Sequence, residues 1–143
     1  MPDVKEQVNR VERELTEQEL AFEHIDDSEN PVIALSFGGG DFSFTHLVVH
    51  LVFDEDGASA QIATSPVTSA PVEKAARVLL ALNDLNSKYR WVKFFLDSDN
   101  DVIVNADVVF NEENVAQACV EMLVRTVNII DETYSDVMKA LWS

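Results

Sequence analysis

The chain has 143 residues, 47% apolar and 25% charged, which are ordinary proportions for one globular domain. At this length folding buries about 70% of the extended chain's surface, so a core needs neither disulfide nor metal. A formal charge of −16, from 26 acids against 10 bases, repels phosphate backbones and anionic lipid, so neither nucleic acid nor a membrane is an expected partner.

The charge is uneven. Residues 1 to 30 hold ten acids and three bases, residues 31 to 70 four acids and no base, and five of the ten bases lie between 74 and 93. Lys74, Arg77, Lys88, Arg90 and Lys93 are placed to answer the acidic N-terminal helix, an acidic partner, or simply water. Cys119 is the only cysteine, so an intramolecular disulfide is impossible. The opening Met-Pro-Asp-Val-Lys-Glu-Gln lacks the apolar core of a signal peptide, and no apolar run approaches the ~20 residues that span a bilayer. The expected compartment is the cytoplasm.

Val4, Val8, Val11, Leu15, Phe22 and Ile25 alternate steps of four and three, with Gln18 at the missing position, and predict one amphipathic helix. Asp26-Asp27-Ser28-Glu29-Asn30-Pro31 ends it. Val32–Phe37, Phe42–Phe53 and Ala58–Thr64 are rich in β-branched and aromatic residues. Gly38-Gly39-Gly40 and Asp54-Glu55-Asp56-Gly57 separate them, which predicts an antiparallel meander.

After the breaker run Ser65 to Pro71, the spacing of Val72, Ala75, Ala76, Leu79, Leu82 and Leu85 predicts a second helix to about Asn86. Arg90–Leu96 and Val102–Phe110 read as a hairpin around Asp97 to Asp101. A long stripe, Val115, Ala118, Cys119, Met122, Val127, Ile130, Tyr134, Val137 and Leu141, predicts a closing helix. The expected architecture is α+β: helix, three strands, helix, two strands, helix, with helices on an antiparallel five-stranded sheet, in a single domain over 1–143.

Reactive constellations are scarce. Asp97-Ser98-Asp99-Asn100-Asp101 copies the start of a calcium loop, but the required glycine is Val102 and the bidentate glutamate is Val108, so a hairpin turn is the better reading. His46 and His50 have zinc-pair spacing only on a helix; on a strand they stand about 13 Å apart. His24, at the expected helix end, suits the helix dipole. Gly38 to Gly40 run into strand rather than helix, unlike a phosphate cradle. Cys119 lies in an apolar stripe, as a buried thiol does. The residues therefore predict no catalytic group, no metal site and no cofactor.

A surface argument remains. Val92, Phe94 and Leu96 with Val102, Val104, Ala106 and Val108 form the core face of the second hairpin. The opposite face carries Trp91, Lys93 and Phe95 with Ile103, Asn105, Asp107 and Val109. That is too apolar for a fully wetted face and points to association, unless a helix covers it or the two faces are reversed. Trp91, Phe95 and Ile103 are the expected protein contacts, and Leu141 and Trp142 could extend the patch.

Leu82-Asn83 and Leu85-Asn86, followed by Trp91-Val92-Lys93-Phe94 entering an acidic hairpin, and Asp131-Glu132-Thr133-Tyr134 in the last helix, resemble the YbjN family of bacterial proteins, most clearly over residues 72 to 141. The resemblance implies the fold of type III secretion chaperones, small acidic proteins that commonly dimerise and hold extended client segments. YbjN proteins are often labelled sensory transduction regulators, and the family has no agreed catalytic motif. The expected function is thus a non-enzymatic interaction module, chaperone-like or regulatory, that binds a segment of a partner protein and works as a homodimer. A small-molecule-sensing regulatory domain is the alternative.

Overall fold

The computed structural model describes residues 3–25 and 30–143. The first helix, α1 (Val4–Glu17), starts where the Asp3 side chain accepts a hydrogen bond from the Lys5 N–H at 3.0 Å. Val8, Val11 and Leu15 enter the core, but the helix stops short of Ile25. Glu19 turns left-handed at φ 60°, its N–H donates to the Thr16 carbonyl, and the Leu20 N–H donates to that of Leu15. This is a Schellman close. With glutamate rather than glycine in the left-handed position, periodicity alone reads straight through it. Glu23–Ile25 then forms strand β1. The expected breaker run from Asp26 to Glu29 lies outside the described residues.

Strands β2 (Val32–Phe37), β3 (Leu47–Phe53) and β4 (Ser59–Thr64) form the expected meander, and β5 (Thr68–Ser69) follows. The hairpin of β6 (Val92–Leu96) and β7 (Asp101–Val109) completes an antiparallel sheet of seven strands among the described residues, two more than expected. The additions, β1 and β5, have three and two residues, too short to leave a periodic signature. The order is β1-β2-β3-β4-β7. Val102 pairs with Thr68 and with Leu96, so β5 continues along the β4 side of β7 while β6 closes the other side as an edge strand.

Register explains the burial. One row across the sheet, Ile33, Leu51, Ile62, Ala106 and Val92, faces the helices, and the first four are buried. The neighbouring row, Ala34, His50, Ala63, Asn105 and Lys93, points the other way and is half-buried or exposed. Helix α3 (Val115–Trp142) buries Cys119, Leu123, Val127 and Ile130 in the same core as α1 and the inner sheet face. Among the described residues no helix is long and apolar enough to cross a membrane.

Two further expectations change. Phe42 to His46 do not extend β3 but form a bent loop. Within it Phe42 stacks on Phe44 at 5.0 Å, Phe44 meets Tyr134 of α3 at 6.2 Å, and Ser43 binds Asp131. Aromatic content resembling a strand here serves a loop packed on a helix. Helix α2 (Ala75–Lys88) follows a 3₁₀ turn at Val72–Lys74 and buries Val78, Leu82 and Leu85, leaving Val72, Leu79 and Leu80 exposed. The tighter turn shifts the helical phase, and adjacent Val78-Leu79-Leu80 fits more than one stripe.

Candidate interaction site around Trp91

Three residues, Tyr89 to Trp91, cross from α2 to β6. The helix end is closed by the Tyr89 N–H donating to the Leu85 carbonyl at 2.9 Å. The strand is pinned by Asn86, whose carboxamide bonds both backbone polar groups of Phe94. The short span between these anchors holds Trp91 at φ 82°. A bulky residue there costs on the order of 1–3 kcal/mol and persists only when its surroundings over-determine it.

The indole remains 52% exposed, so burial does not offset that cost in full. The Arg90 and Arg125 guanidinium carbons lie 5.2 and 5.4 Å from its ring centre, within cation–π reach. Arg125 also pairs with Glu121 at 3.2 Å. Lys88 pairs with Asp84 at 2.9 Å, and that hydrogen bond and charge raise the ammonium's pKa. Burial, and then Glu132 with its oxygen 3.5 Å from the phenol, raise the pKa of Tyr89. Arg90 has no ion pair or hydrogen-bond partner for its side chain among the described residues.

Beside the indole runs a groove of about 730 Å³. Its walls are the end of α1, with Glu14 and Gln18, and the segment Lys88 to Trp91. Its floor is α3, where Val120, Val124 and Ile129 supply the apolar part. A second concavity of about 410 Å³ shares Trp91 and reaches Val109, which is 80% exposed.

The structure separates the three expected contacts. Phe95 and Ile103 are register partners on the open sheet face, both half-buried, with the Lys93 ammonium 5.5 Å from the Phe95 ring. Trp91 precedes β6 and lies against Arg125 of α3, whose buried side chains meet the opposite face of the sheet. It belongs with the groove rather than with Phe95. Arg125 escaped the sequence reading because it lies 34 positions from Trp91 and only the tertiary fold brings the two together. Of the five clustered bases, none forms an ion pair with α1 among the described residues.

Other candidates serve local structure. Carboxylate oxygens of Asp97, Asp99 and Asp101 lie within 4.8 Å of one another. Asp97 Oδ1 nevertheless accepts from the Asp99 and Asp101 N–H groups at 2.9 Å, and Asn100 is left-handed at φ 61°, the geometry of a three-residue hairpin loop. His24 sits on β1 rather than at a helix end, its Nδ1 2.7 Å from Glu12 Oε2. His50 faces the open side of β3, and His46 precedes that strand. The Cys119 thiol is fully buried, which pushes its pKa up to about 12. At Gly38 a Cβ would meet the Thr45 carbonyl oxygen at 2.3 Å, so the loop itself requires glycine there.

The YbjN family model, described as "Putative bacterial sensory transduction regulator", matches residues 7–140. The crystal structure of YbjN from E. coli, described as "a putative transcription regulator", resembles this fold with a TM-score of 0.55 at 15% identity, covering 90% of this chain and 91% of that one. No curated protein matches the chain.

Proposed function

The chain belongs to the YbjN family, and from that premise we propose that it is a non-enzymatic regulatory domain that acts by binding a segment of a partner protein. The family's description is that of a regulator rather than a catalyst. The observation that carries the reading is Trp91: a half-exposed indole, held in an unfavourable backbone conformation within cation–π reach of two arginines, at the edge of a groove. Aromatic and arginine side chains dominate binding hot spots, and backbone strain concentrates at sites of function. Phe95 and Ile103, on the open sheet face, provide a second contact surface.

Self-association is part of the proposal. Val72, in the 3₁₀ turn before α2, and Leu80, on α2, are 81% and 73% exposed, and with Ala76 and Leu79 they form an outward stripe. A second copy of the chain can bury such a stripe against its own.

The test compares wild type, Trp91→Asp and Phe95→Asp, each confirmed as folded by circular dichroism, for retention of proteins from native-host lysate. The reading expects one protein retained by wild type and lost with Trp91→Asp. Repeated failure of folded wild type to retain any protein would contradict it.

A further inference from the structure

We infer that the groove beside Trp91 receives an extended peptide segment carrying a single acidic side chain, whose carboxylate docks on Arg90 at the indole. This rests on the interaction reading above and specifies the segment it would bind.

The length of the groove argues for a segment rather than a small anion. Along α3 its lining runs from Gln117 to Glu132, about 22 Å at the helical rise, which matches six or seven extended residues. The half-exposed Trp91 and the half-buried Val124 offer the apolar surface that uncharged residues of such a segment would cover.

Charge sets the acidic count. Lys88 is committed to Asp84, and Arg125 is shared with Glu121. Arg90 stacks on the indole without a carboxylate partner among the described residues. A guanidinium presents planar paired donors that fit a carboxylate, and those of Arg90 are uncommitted among the described residues. One incoming carboxylate therefore completes the cluster. A run of acids does not fit, because Glu14, Glu121 and Glu132 also line the groove on a chain of net charge −16.

The experiment uses the full chain with Trp142→Phe, so that Trp91 is the only tryptophan. Trp142 is largely exposed and tolerates the change. Trp91 emission is titrated with acetylated, amidated heptapeptides of alternating leucine and serine whose central residue is glutamate, glutamine or lysine, and with a peptide carrying three glutamates. The expected result is saturable binding of the single-glutamate peptide, about ten-fold or more weaker binding of the glutamine, lysine and three-glutamate peptides, and loss of that preference in Arg90→Gln. Equal binding of the glutamine peptide, an unchanged preference in Arg90→Gln, or no binding of any peptide would overturn the inference. A cellular partner retained equally by wild type and Arg90→Gln, but lost with Phe95→Asp, would also overturn it while leaving the broader interaction reading in place.

Discussion

The side chain of Asn86 stands in for a missing β-strand beside Phe94. Its Nδ2 donates to the Phe94 carbonyl and its Oδ1 accepts from the Phe94 N–H, both at 2.9 Å. An edge strand presents unpaired backbone groups to any passing strand, and one carboxamide satisfies this pair from the last turn of α2. It also fixes how far α2 lies from β6, and hence the short path that holds Trp91 left-handed.

Asn86→Leu therefore removes both bonds and reopens the edge. The expected cost is about 1–2 kcal/mol in urea denaturation, with increased concentration-dependent association as the free edge finds other strands. Unchanged stability and association would show that water satisfies Phe94 equally well.

Glu19 gives a prediction of the opposite sign. It is left-handed at φ 60° in the Schellman close of α1 and exposed, so its side chain contributes little burial. Glu19→Gly should stabilise the fold by about 0.5–1 kcal/mol, read as a raised urea midpoint at unchanged slope. A fall in midpoint would mean that the glutamate side chain has a stabilising role that outweighs the backbone relief.

The Ser43 backbone N–H and hydroxyl both donate to Asp131 Oδ1, at 2.6 and 2.8 Å. These bonds hold the Asp131 pKa below its ordinary value. A depressed folded-state pKa supplies stability above the unfolded value, near 3.9, that is lost as pH falls through the folded value. Asp131→Ala should therefore lower stability at pH 7, and its gap to wild type should narrow steadily below about pH 4. A gap independent of pH would assign the loss to packing rather than to the carboxylate.

Much of the fold was legible because its long elements carry strong periods. The alternation of β3, the hairpin core face from Val92 to Val108 and the stripe of α3 each repeat often enough to define a buried side. The errors share a cause: local backbone geometry with no compositional marker. Glu19 takes a position usually held by glycine, β1 and β5 are shorter than any period, and a 3₁₀ turn shifts the phase of α2. For the site, Trp91 was visible as an aromatic beside lysine on an apolar strand face, but the turn that separates it from Phe95 was not. The groove depends on Arg125 and the end of α1, which only the tertiary fold brings to it. The Leu85-Asn86 motif, noticed as a sequence pattern, gained its physical meaning from the bonds to Phe94.

The central claim is that Trp91 is kept strained for binding rather than for stability, and Trp91→Gly tests it most directly. Glycine adopts a positive φ without the tryptophan's steric penalty, and that relief is set against the burial of about half of the indole, which is lost with it. Thermal melts of both proteins are to be paired with retention of the partner from native-host lysate. The account predicts a melting temperature equal to or above that of wild type together with loss of the partner. A clearly lowered melting temperature with the partner still retained would contradict it and make Trp91 a structural residue.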